Sequence, residues 1–444
     1  GTRFARTRQA RLLTDALTPE DFRDRIARLG LTRLRRLAIG VSGGADSLAL
    51  LRLAAEYGAA TGVEIVAFTV DHGLRPDAAE EARQVAGWCA AIDVPHRTLV
   101  WAGPHPETGV QAAAREARYA LLADAAVAAG ADALFVAHTA DDMAETLLAR
   151  LGRGSGPDGL AAMRAVGRIA AGPDEPVLLV RPLLDVRRAG VLATLQRFRQ
   201  KHLDDPSNED SRFERVRARA TLAQLEAANL VSIDALARSA ERLRAAADGE
   251  TARARRTLAA CAFMRWGGVR VPHALWARLP RADAEALARR LVFAVSGARS
   301  PVNREDAAAA VERAIAGTRA TFAGALIIAT GEDVTFEREP AGLLGRAGEA
   351  AAPPLTLGVS KKALWDQRFI VSADAEVTIR ASGRTGDLGG APSLFTGERF
   401  IGGLHLETGE WRAPPTGVRL HSLIRERALG DVVRFQGAGP VAGP

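Results

Sequence analysis

The sequence predicts an α/β fold in which a doubly wound parallel sheet is followed by a helical domain and a small β-rich carboxy-terminal domain. Short apolar runs alternate with helical segments over residues 36–203, which is typical of a parallel sheet with helices on both faces. The first run, Leu37–Val41, passes into a helix through a glycine pair. After residue 220 the pattern becomes helical and rich in alanine and arginine, and the last ninety residues are rich in glycine and short apolar runs.

These changes in pattern divide the chain into four predicted regions. Residues 1–30 are an N-terminal helical extension, and residues 31–215 form the domain that carries the parallel sheet. Residues 216–346 are mainly helical, with one hairpin formed by Leu326–Ile328 and Val334–Glu337 around a Gly-Glu-Asp turn. Residues 354–444 form the β-rich module, which follows a linker rich in alanine, glycine and proline.

Composition and charge indicate the kind of partner and the cellular compartment that we expect for this chain. The 444 residues carry a formal charge of +7, which favours a polyanionic partner. The arginine-rich start lacks the apolar segment of a secretory signal, and the chain lacks the run of about 18 apolar residues that a membrane span needs. The two cysteines, Cys89 and Cys261, form no disulfide framework or Cys-x-x-Cys site, so we expect a cytoplasmic protein without a membrane partner.

The turn after the first strand has the features of a phosphate-binding loop. Its glycines allow a ligand to approach the main chain, and the following helix presents unpaired N–H groups and a partial positive charge. The candidate nucleotide-binding residues are Ser42, Gly43, Gly44, Ala45, Asp46 and Ser47. Because Asp46 would repel a bare phosphate, its position makes sense if Mg²⁺ bridges the two; otherwise Asp46 only caps the helix.

A second polar cluster follows the predicted strand Ala133–Ala137. His138 ends this strand, and the next helix opens with Asp141, Asp142 and Glu145. Polar groups at the carboxyl end of a strand beside a phosphate loop can hold Mg²⁺ or accept a proton. The alternative is structural, because acids also favour helix N-termini through the helix dipole.

Two sets of arginines complete the candidate residues. Arg115 and Arg118 lie on one face of the helix Val110–Ala129, as a phosphate clamp or as a solvated face. Four more arginines line the start of the helical region and either contact RNA phosphates or face solvent. They are Arg212, Arg215, Arg217 and Arg219.

The hexapeptide Ser42–Ser47 resembles the PP-loop of the ATP pyrophosphatase superfamily. Four further segments, together with the loop, resemble the tRNA(Ile)-lysidine synthetase family in order and spacing. They are Asp71–Arg75, Gln111–Tyr119, His138–Gly154 and Asp205–Arg219. The likeness covers residues 36–220, and it departs from the family where Val216 follows Arg215 in place of the usual asparagine.

The resemblance implies an ATP-dependent carbon–nitrogen ligase with Mg²⁺ as cofactor. ATP adenylates C2–O of the wobble cytidine in a tRNA(Ile) with a CAU anticodon, and the amine of L-lysine then expels AMP to leave lysidine. The PP-loop would hold pyrophosphate, Asp46 and Asp142 would hold Mg²⁺, and Arg115 or Arg118 would steady the phosphates. The lysine would be held and its proton taken by acceptors drawn from His138, Asp141 and Glu145.

Two rival functions remain open at this stage. A tRNA thiolase or an amide-forming synthetase would use the same loop. A thiolase would typically carry extra cysteines, and a glutamine-dependent synthetase needs an ammonia-generating domain, for which the sequence offers no candidate. A basic RNA-binding protein with a vestigial loop would not need Asp46, Asp141 and Asp142 at a phosphate site. The sequence does not determine the oligomeric state, for which a dimer is one option.

Overall fold

The structure is a computed structural model, and it describes residues 15–74, 77–103, 106, 108–161, 163–204, 214–299, 301–345, 351–382, 390–405, 410–430 and 432–435. Arg75 and Arg212 lie outside these residues. The chain divides into two compact units, one comprising Gly1–Ala247 with Val433–Pro444 and the other Asp248–Val432.

The first unit is an α/β unit built on one seven-stranded sheet. Its helices are α1 (Pro19–Arg28), α2 (Ala45–Thr61), α3 (Ala78–Ala90), α4 (Val110–Ala128), α5 (Ala140–Gly152), α6 (Pro157–Leu160), α7 (Arg188–Phe198), α8 (Glu214–Ala227) and the start of α9 (Ile233–Leu258). Its strands are β1 (Arg36–Gly40), β2 (Glu64–Asp71), β3 (His96–Val100), β4 (Ala133–Phe135), β5 (Val166–Ala171), β6 (Val177–Val180) and, from the chain end, β20 (Val433–Phe435).

The strand order is β20-β5-β6-β4-β1-β2-β3. Strands β1, β2, β3, β4 and β6 are parallel, so the doubly wound sheet predicted from the sequence is confirmed. Alternate residues of β1 enter two different cores: Leu37 and Ile39 pack on one face and Ala38 on the other. Both faces are therefore covered by apolar side chains, as a parallel sheet requires.

Two strands of this sheet were not predicted. Strand β5 runs antiparallel to β6, with Val166 opposite Val180, and β20 pairs with the outer side of β5. Gly167 and Arg168 interrupt the apolar pattern of β5, and β20 has only three residues. Neither segment carries a periodic signal, and only the free edge of the sheet selects them as strands.

The second unit combines helices with three antiparallel sheets. Its helices after α9 are α10 (His273–Trp276), α11 (Arg281–Val295), α12 (Arg304–Gly317), α13 (Ala341–Leu344) and α14 (Ile424–Leu429). Its first strands are β7 (Ala262–Phe263), β8 (Val269–Pro272), β9 (Arg319–Phe322), β10 (Ala325–Ala329) and β11 (Asp333–Arg338). Its last strands are β12 (Leu355–Leu357), β13 (Lys361–Trp365), β14 (Phe369–Ala373), β15 (Val377–Ala381), β16 (Pro392–Thr396), β17 (Arg399–Leu404), β18 (Trp411–Arg412) and β19 (Val418–Ser422).

The predicted hairpin is confirmed as β10 and β11, which pair antiparallel with Leu326 opposite Glu337. It belongs to a larger sheet of order β7-β8-β11-β10-β9. Strands β7 and β8 lie inside a stretch that the sequence predicts as helical, so that expectation is corrected. They are two and four residues long, too short to show a period of two; pairing with β11 stabilises β8, and pairing with β8 stabilises β7.

Candidate functional site

The two predicted polar clusters follow neighbouring strands. Strand β1 lies between β2 and β4, and the order of strands reverses at the β1–β4 pair. Residues 41–46 follow β1 and residues 136–142 follow β4. Open α/β sheets bind ligands at the carboxyl ends of strands at such a switch point. The fold thus brings the phosphate-loop candidate and the acidic helix to one crevice.

The loop after β1 needs glycine at position 43. Gly43 has φ of +85°, and a Cβ there would lie 2.5 Å from Leu203 Cδ1. Within the loop the Ser47 hydroxyl donates to Gly44 O (2.9 Å) and accepts from Ser42 N (3.1 Å). Gly44 is the N-cap of α2 and has no side chain to bond the first amides of the helix. The geometry is that of an anion-binding turn.

Asp46 carries the one charge among residues 42–47, and the protein compensates that charge only in part. Its Oδ1 is buried and has no hydrogen-bond partner among the described residues, and its Oδ2 lies 3.8 Å from Arg188 Nη1. Burial, together with the negative charges of Asp142 and Asp141, raises the pKa of Asp46 to about 6. A carboxylate in this state favours an added cation. The donor set therefore fits Mg²⁺ held by Asp46 together with phosphate oxygens.

Asp142 and Glu145, by contrast, are occupied by arginines. Asp142 closes a capping box: its Oδ2 accepts from Thr139 N (2.8 Å), and its Oδ1 accepts from Arg215. Glu145, which is 1% exposed, accepts from Arg219 Nε (2.7 Å) and Arg215 Nη2 (3.2 Å). The start of α8 is thereby fixed to α5. Neither carboxylate has the unbonded oxygen that Asp46 presents.

Asp141 is bound to the start of α7. Its Oδ2 accepts from Arg188 N (2.7 Å) and lies 3.4 Å from Arg187 Nε. The same Arg187 guanidinium lies 3.3 Å from Glu226 and 3.5 Å from Asp234. Sequence reasoning missed Arg187, although its place at the start of a helix after the sheet was a usable signal. It joins four helices through three carboxylates.

His138 lies at the end of β4 and is 9% exposed. Arg181 Nε donates to its Nδ1 (3.3 Å). Burial, followed by the charges of Arg181, Arg118 and Arg115, lowers the pKa of His138 well below its usual value. His138 is therefore a poor proton acceptor. Sequence reasoning also missed Arg181, which directly follows β6 and so occupies the strand-end position that the switch-point rule marks.

Arg115 and Arg118 flank one aromatic ring on α4. Their guanidinium carbons lie 5.1 and 5.2 Å from the centroid of the Tyr119 ring, within cation–π distance. Burial lowers the pKa of Arg118. The Arg115 side chain is exposed and that of Arg118 is half-buried, and the charges of both contribute to the low pKa of His138.

The predicted RNA-binding arginines of α8 are divided by the structure. Arg215 and Arg219 pair with the acids of α5, and the side chains of Arg215 and Arg217 are exposed on the helix. Position 216, a valine, is half-buried. Spacing alone did not show that two members of the predicted set pair with the acids of α5.

Other site types find little support in the described part of the chain. No group of three or more His, Cys, Asp or Glu side chains is arranged there to hold a metal on its own. None of the helices in the described ranges is long and apolar enough to cross a membrane. Burial raises the pKa of the Cys89 and Cys261 thiols to about 11, which keeps them protonated and unreactive.

Comparison with known proteins agrees with this geometry. A family model described as the PP-loop domain matches residues 18–226. The tRNA(Ile)-lysidine synthase of Rhodopseudomonas palustris is 53% identical over 194 residues, which is 43% of this chain and 54% of that protein. The matched stretch therefore spans about half the length of that relative.

Longer matches extend across both units. The tRNA(Ile)-lysidine synthase of Methylobacterium nodulans is 40% identical over 346 residues, covering 74% of this chain and 98% of that protein. The protein of the same name from Ruegeria pomeroyi is 38% identical over 361 residues, covering 79% of this chain and 80% of that protein. The chain therefore belongs to the tRNA(Ile)-lysidine synthase family and carries its PP-loop domain.

Proposed function

We propose that this protein ligates L-lysine to C2 of the wobble cytidine in a tRNA(Ile) with a CAU anticodon, at the expense of ATP. The cytidine O2 attacks the α-phosphorus of ATP and releases pyrophosphate. The lysine amine then attacks C2, loses a proton and expels AMP. Family membership supports this reaction. The reaction would take place in the cytoplasm, where tRNA, lysine and ATP are all present.

The observation that carries the proposal is that an anion-binding turn and Asp46, an acid with one unbonded oxygen, meet at the switch point. Ser42, Gly43, Gly44 and Ser47 form this turn: the two hydroxyls bond within the loop and hold its shape, and the N-terminus of α2 at Gly44 would bind pyrophosphate. Arg115 and Arg118 would steady the remaining phosphate charge. A protein that only binds RNA would have no use for a half-buried acid with an unbonded oxygen at this turn.

Mg²⁺ would be held by Asp46 and the phosphates, where it would offset the charge that develops at the α-phosphate. Asp142 contributes through its charge, because its own oxygens already bond Thr139 and Arg215. The proton lost by lysine would go to a carboxylate and not to His138, whose pKa is too low for it to accept a proton. Asp141 is the better candidate for holding the ammonium group, because both oxygens of Glu145 already pair with Arg215 and Arg219.

Recognition of the tRNA would be shared along the chain. Residues 31–215 would perform catalysis, with the wobble cytidine unstacked from the anticodon to reach the crevice. The exposed Arg217 would contact the phosphate backbone. Residues 216–346 and 354–444 would read the rest of the tRNA, which must be distinguished from a tRNA(Met) that shares the CAU anticodon.

The test is transfer of labelled lysine to unmodified tRNA(Ile) with a CAU anticodon, with tRNA(Met) as the control acceptor. We expect ATP-dependent labelling of the isoleucine tRNA alone, with release of AMP and pyrophosphate. Pyrophosphate release with another acceptor would retain an adenylating PP-loop enzyme and reject lysidine formation. Tight RNA binding without any ATP cleavage would instead support a non-catalytic RNA-binding protein.

A further inference from the structure

Arg181 and His138 stand side by side at the ends of paired strands. Strands β6 and β4 are parallel neighbours, and Val136 N donates to Val180 O (3.0 Å) just beyond the last strand pair. Arg181 follows Val180 directly, and His138 is two residues beyond Val136. The Arg181 Nε–H thereby comes to lie 3.3 Å from His138 Nδ1.

The Arg181 side chain is braced by the main chain. Its amide donates to Ala165 O (2.8 Å), and its Nη1 donates to Arg164 O (2.8 Å). Both acceptors lie just before β5, so the antiparallel strand that the sequence did not reveal provides the support. Because the main-chain amide and Nη1 of Arg181 are both bonded, its guanidinium has little freedom to turn Nε away from the imidazole.

The direction of this hydrogen bond determines the state of His138. Arginine has donors and no acceptor, so Nδ1 must be the unprotonated nitrogen. The proton of the neutral ring is then on Nε2. Protonation of Nδ1 would break the bond and place a positive charge beside Arg181, near Arg118, Arg115 and Arg215, in a side chain that is 9% exposed.

We propose that Arg181 is a positioning residue that keeps His138 neutral, with its proton on Nε2, so that His138 serves the reaction as a hydrogen-bond donor and not as a base. This role rests on the proposed function: the Nε2–H group of His138 would donate a hydrogen bond to an oxygen of the reacting cytidine or phosphate. An N–H donor that is already oriented before the reaction stabilises the negative charge that develops on such an oxygen.

The direct test is nitrogen NMR of the ¹⁵N-histidine-labelled full-length protein, with His138 assigned from a His138→Asn spectrum. We expect the Nε2–H form of His138 between pH 6 and 8, with no titration in that range. In Arg181→Met the Nε2–H population should fall and the pKa should move toward 6.5. An Nδ1–H ring in the wild-type protein would overturn the proposal, as would an unchanged His138 signal in Arg181→Met.

The matched control is Arg168→Met. Arg168 is an exposed arginine of the same β5–β6 hairpin and donates to Pro176 O (3.4 Å), away from His138. Its substitution should leave the His138 signal unchanged. Because the wild-type spectrum alone identifies the tautomer, the test survives even if Arg181→Met folds poorly. The NMR result also does not depend on lysine transfer, so a failure of the proposed function would be seen separately.

Kinetics of pyrophosphate release separate a donor from a base. A glutamine amide can place an N–H near the Nε2 position, whereas an asparagine amide places it near Nδ1. We expect His138→Gln to retain at least ten times more activity than His138→Asn, and Arg181→Met to lower kcat by about 10- to 100-fold with little change in the KM for lysine. Equal loss in both His138 variants, or a loss in Arg181→Met that lies wholly in KM, would contradict the assignment.

Discussion

The N-termini of two helices that follow neighbouring strands each carry an acid, but the two acids differ in how they are bonded. Helix α2 follows β1 and carries Asp46 in its first turn, with one buried oxygen left without a hydrogen bond. Helix α5 follows the neighbouring strand β4 and carries Asp142, whose two oxygens bond Thr139 and Arg215. Both carboxylates gain from a helix dipole, so position in the helix does not explain the difference.

The difference lies in where the compensating cation comes from. At α5 the chain supplies it, because Arg215 and Arg219 reach the acids from α8. At α2 the nearest cation, Arg188, stays at 3.8 Å, and burial raises the pKa of Asp46 to about 6. Proteins retain an uncompensated buried group mainly where function needs it. We therefore interpret α2 as the side that receives an external cation and α5 as the side that shapes the crevice.

The largest expected effect is on turnover. Asp46→Asn keeps the shape of the side chain and removes the charge that would hold Mg²⁺, so lysine transfer should fall by about 10³-fold or more. Binding of tRNA, measured by filter retention, should change less than about threefold, because a single acid at the phosphate turn gives no RNA contact. Turnover that survives within tenfold would remove Asp46 from the mechanism.

The second effect is a pH-dependent stability difference in metal-free protein. Because the folded pKa of Asp46 lies above its ordinary value of 3.8, the carboxyl prefers to be protonated in the folded state. Ionisation of Asp46 therefore lowers the free energy of unfolding. This loss is absent below about pH 4, grows as pH rises to about 6 and then stays constant at up to about 3 kcal/mol.

Asp46→Asn should therefore be more stable than wild type at pH 7.5, and the two should converge at pH 4. Urea unfolding at the two pH values, with a chelator present, measures the difference. Equal stability at pH 7.5 would show that Asp46 is compensated after all.

The third effect has the opposite sign and concerns the compensated side. Glu145→Gln removes the acid that two arginines share, and we expect a loss of about 2 kcal/mol in the free energy of unfolding. The loss stays below that of a fully buried pair because 53% of the Arg215 side chain and 37% of the Arg219 side chain are exposed and can be rehydrated.

Glu56→Gln is the matched control, since Glu56 forms a half-exposed pair with Arg197 at 2.9 Å. It should cost about 0.5 kcal/mol or less. If Glu145→Gln is as mild as Glu56→Gln, the α5–α8 network does not hold the crevice together.

The smallest effect separates the arginines of α8. Arg217→Ala should weaken tRNA binding a few-fold and reduce the slope of log affinity against log salt by about 1, because an exposed arginine can neutralise a phosphate. Arg219→Ala should leave that slope unchanged, since its charge is already used by Glu145. Fluorescence titrations of tRNA over a range of salt concentrations compare the two. Equal slopes in both variants would mean that α8 does not meet RNA in this way.

Local chemistry made the phosphate turn and the acidic helix predictable. A strand, two glycines and a helix start can be read at positions 37–47, because only glycine meets the φ and spacing needed at Gly43. The run from His138 to Glu145 could be placed beside it, because carboxyl ends of parallel strands share one edge of a sheet. Arg181 and Arg187 were missed because their partners are contributed by other strands and helices.

The sequence by itself determined the sheet class, the position of the site and the residue types that line it, since these depend on periodicity and on backbone needs that are local in the chain. Tertiary structure alone decided which charges are compensated. Asp46, Asp141 and Asp142 look equivalent in the sequence, but arginines more than 40 residues away bond two of them and leave an oxygen of the third unbonded. The charge state of a buried acid depends on what the fold brings within a few ångströms of it, and spacing along the chain does not encode that distance.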